Sequence, residues 1–522
     1  MKTFLFILLS FFYPQQSEWL RIAEETKPEL QETIVQPVTL VTPVQDPTAF
    51  QGWRMEPVDG LDNYFQVSMK QNPSVIVDFG RHMTGYYQFR LRTTFRCQDG
   101  PIRIRFTFAE VPSELCTPFD PYTGTLSRAW LQDEVITLMD IEQDIRLTRR
   151  VACRYVKIEL IASSPDFDFR FADMSFAAVS SANTPPILQN RPSQSDTIAR
   201  IQAVAVETLR ECMQTVYEDG PKRDQRLWIG DVYLESLANT YSFRNHALTR
   251  RCLYLLAGLA AEDGRLHGNV FERPEPHPQV GSHPEDYALL YNVTLLNYLR
   301  ASGDTATARN LYPVAVRQME YALSIYGQYD GHWLFFDWRD AVEKTAAMEC
   351  LTVFALHRSA DLAETLGDKA QAKAWRTRAA QAKRQIRRDF LNTQTHMLAD
   401  RGQYNEITQI WAVLSGVLSP KEGKLALTAM KQRPDVIRLG TPYANHYYVE
   451  ALIACGMNIE ARRHVIDYWG GMVAKGADTF WEVYDPANEY LSPYNFFPVN
   501  SYCHAWSCTP VYFIQCYPHI FQ

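Results

Sequence analysis

The apolar pattern of the chain changes period once, close to residue 190, and that change constrains the architecture more than any other feature. From about Gln51 to Val179 apolar and polar residues alternate, as in Val75-Ile76-Val77-Asp78-Phe79-Gly80, Ile102-Arg103-Ile104-Arg105-Phe106 and Tyr155-Val156-Lys157-Ile158. Alternation buries one face of a strand, and short alternating runs separated by Gly, Pro and Asp turns predict an antiparallel β-sandwich. Thr184-Pro185-Pro186 and Asn190-Arg191-Pro192 interrupt the pattern, because proline lacks a backbone donor and fixes φ. From Asp196 onward the period is helical.

About twelve helices are predicted, near 196–217, 231–242, 245–261, 284–302, 304–326, 341–366, 368–390, 404–417, 419–431, 443–456, 458–474 and 501–515. Their connections alternate between short ones, such as Ser302-Gly303-Asp304 and Leu366-Gly367-Asp368, and long ones. Antiparallel hairpins closed into a ring, an (α/α)6 barrel, satisfy that alternation. An open solenoid is the rival, but no motif recurs from hairpin to hairpin. A ring gathers its long connections at one end, where a pocket forms. The chain therefore reads as multidomain α and β, with a sandwich over 18–182, a linker over 183–195 and a barrel over 196–522.

Residues 1–17 read as a secretory signal: Met1-Lys2-Thr3 precedes an apolar run from Phe4 to Tyr13, too short to span a bilayer. Export to a periplasm or to the outside is the expectation, with no membrane span in the mature chain. A formal charge of -7 excludes a global positive field that would collect nucleic acid. The ten cysteines show no two-residue spacing, so neither a metal nor a redox motif is expected, and several read as buried thiols. Phosphate-cradling glycine loops and Ser, Cys or Thr nucleophile motifs are missing too, and the reading calls for no cofactor and no metal.

Four segments carry chemistry. Asp219-Gly220-Pro221-Lys222-Arg223-Asp224-Gln225-Arg226-Leu227-Trp228-Ile229-Gly230-Asp231 packs three carboxylates, three cations and a Trp behind a Gly-Pro turn. Lys475 to Pro486 sets Glu482 among aromatic residues, where burial would alter its pKa. His332 to Asp340 offers Trp333 and Trp338 beside carboxylates, suited to a sugar platform or to a barrel-rim core. Ser501 to Ser507 opens the last predicted helix, where His504 binds a hydroxyl or caps. Two carboxylates far apart in sequence, facing each other across one hollow, are what acetal hydrolysis needs: one protonated, one ionised.

With those motifs in view, the chain resembles bacterial α-L-rhamnosidases of glycoside hydrolase family 78. Val77-Asp78-Phe79-Gly80 with Gly85-Tyr86 is similar to the family's sandwich signature, and Asp219 to Asp231 to its acid motif. Gly476-Ala477-Asp478-Thr479-Phe480-Trp481-Glu482 resembles its base motif. The resemblance implies an exo-acting, inverting hydrolase of rhamnose-terminated glycans. Asp224 would be the general acid and Glu482 the general base. Asp219, Arg223, Asp231 and His504 would hold the sugar hydroxyls, and Trp228, Trp338 and Trp481 would shape the wall. Many members carry Glu where this chain has Asp224. A different helical-barrel glycosidase (a fucosidase or an unsaturated-uronide hydrolase) and an inactive carbohydrate-binding relative are the alternatives. Lys222, Arg226 and Arg339 are candidates for reading an acidic neighbour of the rhamnose.

Overall fold

The computed structural model describes residues 15–189, 195–339 and 341–522. All but the last three residues of the expected signal segment lie outside the described residues, as do Asp340 and the Asn190-Arg191-Pro192 part of the linker. Helix α1 spans 15–25. The sandwich follows as β1 (Gln31–Val35), β2 (Thr39–Gln45), β3 (Trp53–Val58), β4 (Ser74–Phe95), β5 (Ile102–Ala109), β6 (Asp133–Leu138), β7 (Asp144–Arg146), β8 (Val151–Ala162) and β9 (Asp168–Ser180). Two short helices, α2 (Leu61–Tyr64) and α3 (Pro112–Cys116), lie between strands. All pairings are antiparallel, in the order β1-β9-β4-β8-β5-β6, with β2 bridging β3 and β4 and β7 on β4.

The 22-residue β4 is the strand that curls the sheet on itself. Its pairing with β8 shifts register between Asp78 and Met83. Gly80 stands inside that break at φ +79°, a left-handed conformation that favours glycine. Gly85 is needed for a different reason: a Cβ there would sit 2.0 Å from the Ala177 carbonyl oxygen on β9. Phe79, Tyr87, Phe89, Phe106, Phe108, Phe169, Phe171 and Phe176 fill the fold's interior as one aromatic core.

The second domain is a ring of twelve helices: α4 (Asp196–Cys212), α5 (Ile229–Thr240), α6 (His246–Gly258), α7 (Glu285–Ser302), α8 (Thr305–Ser324), α9 (Thr345–Leu366), α10 (Lys369–Phe390), α11 (Glu406–Leu414), α12 (Pro420–Gln432), α13 (Pro442–Ala454), α14 (Asn458–Ala474) and α15 (Pro510–Cys516). The inner wall runs α5, α7, α9, α11, α13, with α15 and the 3₁₀ turn Ala505–Ser507 closing it back to α5. The inner helices are apolar nearly all round, as befits elements buried on both sides. The outer α10, by contrast, buries only Ala372, Trp375, Ala379, Ala382 and Ile386. This is the (α/α)6 barrel that the periodicity predicts. No helix among the described residues is long and apolar enough to cross a membrane.

Two expectations need correction. The sandwich was to begin at residue 18, but α1 packs on the barrel: Trp19 is fully buried, and its indole donates to Asn310 Oδ1 of α8 at 2.6 Å. Gln16 reaches the Ala260 carbonyl beyond α6 at 2.9 Å, and Arg251 of α6 donates to the Ala23 carbonyl. The last helix was to begin near 501, but its predicted first turns are extended. Their backbone donors are spent outward, from Ser501 to Glu482 Oε2 (3.0 Å), from His504 to the Phe480 carbonyl (2.8 Å) and from Ala505 to the Asp219 carbonyl (2.7 Å). Tertiary bonds have overridden local propensity there. All ten cysteines are free, and Cys503 Sγ lies 4.0 Å from Cys212 Sγ.

A buried polar seam joins the two domains directly under the acid motif. Lys222, 1% exposed, points its ammonium at Glu114 of α3 and at the carbonyls of Pro498 (2.9 Å) and Asn500 (2.7 Å), with Glu110 at 3.5 Å. Glu110 in turn accepts from the Tyr502 amide (2.6 Å) and pairs with His82 Nε2 (2.9 Å). Arg150 of the sandwich meets Glu218 at 2.6 Å, and Arg154, held within the sandwich by two bonds of 2.9 Å to Asp78, reaches Asp478 across the boundary at 3.5 Å. The seam fixes both catalytic-end segments, 219–231 and 497–504, against the sandwich.

Candidate active site

The long connections gather at the end of the barrel where the inner helices begin, and they enclose a cavity of about 160 Å³. Asp219, Arg223, Asp224, Trp228, Asp231, Glu482, His504 and Trp338 all line it. Each comes from a segment entering an inner helix or from that helix's first turn: Trp228 and Asp231 at the start of α5, Trp338 ahead of α9, His504 ahead of α15.

Arg223 organises the floor. It is 3% exposed and places Nη2 on Glu482 Oε2, Nη1 on Asp224 Oδ1 (3.3 Å) and Nε on the Val499 carbonyl (2.9 Å). Its guanidinium lies flat over the Tyr494 ring, 4.4 Å from the centroid. The two acids thus take the two ends of one guanidinium, which bounds the gap between their nearest oxygens at about 8 Å. Glu482 also accepts from the Ser501 amide (3.0 Å) and from the Tyr494 hydroxyl (2.5 Å). Burial pushes the Glu482 carboxyl up, but the charge of Arg223 and the bonds from Arg223 and Ser501 outweigh it and hold the group at about 2. It is therefore ionised at any working pH.

The other acids are held differently. Burial first, and the Asp224 carboxylate second, push Asp219 well above the usual carboxylate range. Burial and the charges of Asp219 and Glu482 do the same to Asp231. Burial holds His504 down at about 3, so the imidazole is neutral. Its Nδ1 lies 3.6 Å from Asp231 Oδ1 and its Nε2 3.9 Å from Asp219 Oδ2, too far for good hydrogen bonds. Both His504 Nδ1 and Asp231 Oδ1 are buried without a hydrogen-bond partner among the described residues, polar atoms left over for a bound hydroxyl. Asp224 is the most open of the four acids, with 15% of its side chain exposed, and Arg226 stands 3.6 Å from its Oδ2.

Aromatic rings make the wall. Trp228 stands perpendicular to Tyr287 and to Trp333, with centroids 6.4 and 6.2 Å away. Phe335 packs edge-on to Trp338 at 4.9 Å and stacks on Trp506 at 5.8 Å. Trp506 is pinned by its indole N–H on the Glu482 carbonyl (3.0 Å). Asp337 does not face the cavity: it accepts from Thr441 Oγ1 (2.6 Å) and the Gly440 amide (2.7 Å), tying 333–339 to the start of α13. Burial raises its carboxyl to about 6 against those bonds.

Trp481 is not part of the wall. It is 1% exposed and stacks on Phe50 at 3.9 Å, with Tyr484 and Tyr502 edge-on. In an extended segment adjacent side chains point opposite ways, so turning Glu482 to the cavity turns Trp481 to the core. Sequence reasoning missed Tyr494, Trp506, Tyr287, Phe335 and Leu126. Tyr494 and Trp506 lie 12 and 24 residues beyond Glu482, a proximity that could have flagged them. Leu126 comes from the sandwich, and no local pattern points to it. Two of the candidate cations are engaged elsewhere, Lys222 in the domain seam and Arg339 on Asp485 (3.2 Å) and the Leu439 carbonyl (3.0 Å), while Arg226, beside Asp224, lies over the Phe271 ring at 4.2 Å.

Residues 37–178 match the N-terminal domain of glycosyl hydrolase family 78 alpha-rhamnosidases, and residues 192–517 match the bacterial alpha-L-rhamnosidase six-hairpin glycosidase domain. The chain belongs to glycoside hydrolase family 78. It is a glycosidase, similar over 96% of its length to a rhamnosidase from Klebsiella oxytoca solved with rhamnose bound, at 39% identity, TM-score 0.92 and 99% coverage of that chain. A family 78 rhamnosidase from Bacillus sp. GL1 has TM-score 0.71 at 21% identity, covering 84% of this chain and 46% of that one. The Streptomyces avermitilis α-L-rhamnosidase complexed with L-rhamnose has TM-score 0.65 at 14% identity, covering 94% and 44%. These two share the fold, and the present chain spans a little under half of each. No curated protein matches the chain.

Proposed function

We propose that this family 78 glycosidase removes single terminal α-L-rhamnose units with inversion, Asp224 acting as general acid and Glu482 as general base. The observation that carries the reading is the pair of carboxylates sharing one guanidinium across a cavity with room for about one sugar ring. A hollow of about 160 Å³ suits a chain end and not the middle of a polymer. The more exposed Asp224 stands at the rim, where a leaving oxygen departs, and passes its proton to that oxygen. The deeper Glu482 takes a proton from a water attacking the opposite face of C1. Asp219 and Asp231, whose carboxyls burial pushes up, bond sugar hydroxyls, and His504 accepts or donates through its free nitrogen. The aromatic wall suits a 6-deoxy sugar, whose methyl gains about 0.8 kcal/mol on burial.

Proton NMR of the first product from an aryl α-L-rhamnoside tests the reading. Inversion gives β-L-rhamnose before mutarotation; α-L-rhamnose as first product refutes it, and cleavage of an α-L-fucoside in preference refutes the substrate. A pH profile tests Glu482 separately. In the wild type its carboxyl stays ionised down to about 2, so it sets no limb of kcat/KM above that pH. In Arg223→Ala burial is no longer outweighed by the guanidinium, and the Glu482 carboxyl rises toward and past its ordinary 4.5. Activity should then fall as pH drops below about 5. An Arg223→Ala profile identical in shape to wild type removes Glu482 from the base role.

A further inference from the structure

The barrel has a second, larger hollow at its other end. Inner helix α5 begins at the catalytic cavity with Asp231 and ends with Thr240 in this second space; α7 runs likewise from Tyr287 to Arg300. At 1.5 Å per residue the two ends are about 14 Å apart along α5 and about 20 Å along α7. Between them the barrel axis is plugged by aromatic rings, Tyr287 against Tyr443, Tyr443 against Tyr447 and Tyr447 stacked on Tyr233. The lower hollow is about 500 Å³, and a neighbouring one of about 370 Å³ shares with it Phe354, Arg358, Val413, Leu414 and Ala454. Each exceeds the catalytic cavity in volume.

Two features give this trough a chemistry. Its junction is cationic beyond what its carboxylates neutralise. Arg300 and Arg358 share one oxygen of Asp361, at 3.3 and 4.0 Å, while Arg376 takes the other at 3.2 Å and is also paired with Glu364 at 2.5 Å. Lys383, which lines the smaller hollow, has no carboxylate partner among the described residues. The larger hollow, in contrast, is built for hydroxyl groups. Glu450 accepts the Tyr512 hydroxyl on one oxygen at 2.8 Å, and its second oxygen has no bond among the described residues. The Asn297 carboxamide is likewise unbonded among them, and Tyr241 and Tyr517 add ring faces and hydroxyls. Burial pushes the Glu450 carboxyl up, against the opposing effects of the Tyr512 hydrogen bond and the Arg358 charge.

We propose that this trough is a non-catalytic binding site for a uronate-bearing oligosaccharide, with carboxylates on Arg300, Arg358 and Lys383 and sugar hydroxyls on Glu450 and Asn297. Guanidinium groups match carboxylates bidentately, and a carboxylate with a free oxygen accepts from a diol. The site would hold an acidic polymer about 14–20 Å from the catalytic hollow. The proposal does not depend on which residues perform hydrolysis.

Calorimetric titration of the full-length protein with trigalacturonate, in the presence of excess L-rhamnose to occupy the catalytic cavity, tests it. The expected result is saturable one-to-one binding that weakens at least tenfold in Arg358→Ala, with aryl rhamnoside kcat/KM within twofold of wild type. Lys383→Ser, at a half-buried position, gives the same direction should Arg358→Ala fold poorly. Neutral maltotriose should bind at least tenfold more weakly. Absence of saturable binding overturns the proposal, as does binding unchanged in both variants. Equal affinity for inorganic sulfate overturns it too, since that would mark a simple anion site without sugar recognition.

Discussion

Glu482→Gln is expected to lower kcat on aryl α-L-rhamnosides by about 10³ while KM stays within a few-fold, the size of effect that a positioned proton acceptor supplies. The carboxamide is nearly isosteric and can turn its oxygen to Arg223 and the Ser501 amide, so the fold loses little. What it cannot do is take a proton from water. Asp224→Asn should behave differently according to the leaving group. A nitrophenolate departs with little protonation, so turnover of its rhamnoside falls modestly; an alcohol or sugar needs the proton, and there the loss should again reach about 10³. Steady-state kinetics on an aryl and an alkyl rhamnoside, with melting temperatures to confirm folding, measure both. Full turnover in Glu482→Gln, or equal losses on both substrates in Asp224→Asn, would overturn the assigned roles.

The second large effect concerns the domain seam. Lys222→Met should destabilise the protein by about 3–5 kcal/mol, because it strands Glu114 as a buried carboxylate without its cation and leaves Glu110 with His82 alone as a cationic partner. It also leaves the Pro498 and Asn500 carbonyls without a donor. Since Arg223 is the next residue and bonds the Val499 carbonyl, activity should fall with stability. The double variant Lys222→Met, Glu114→Gln should recover part of the loss, because it removes the stranded charge. Thermal unfolding followed by circular dichroism gives the comparison. A Lys222→Met protein that melts within two degrees of wild type would mean that the seam contributes little.

Periodicity was enough to read the architecture, since a helix buried on one side or on both, and a strand buried on one face, must write those periods into the chain. The acid and base motifs were legible because a Gly-Pro turn and a carboxylate among aromatic residues are locally unusual. What local pattern could not supply was direction. Trp481 and Glu482 are neighbours, and only the bonds of Ser501 and Arg223 to Glu482 settle which of the two faces the cavity. Lys222 looks from the sequence like a solvated cation. It is instead the hub of a network whose carboxylates lie 108 and more residues earlier, in another domain. Leu126 and the extended 501–504 segment were hidden for the same reason: long-range contacts determine them.

Helix α1 gives the molecule an awkward order of assembly. Its anchoring contact, Trp19 with Asn310, joins residues 291 apart. At the usual pace of translation, about 5–20 residues per second, the partner leaves the ribosome about 15–60 s after the helix does. Throughout that interval the Asn310 acceptor of the Trp19 indole is still to be made, while the sandwich strands that follow the helix are already synthesised. A chaperone has its clearest opportunity there, on the apolar face of α1.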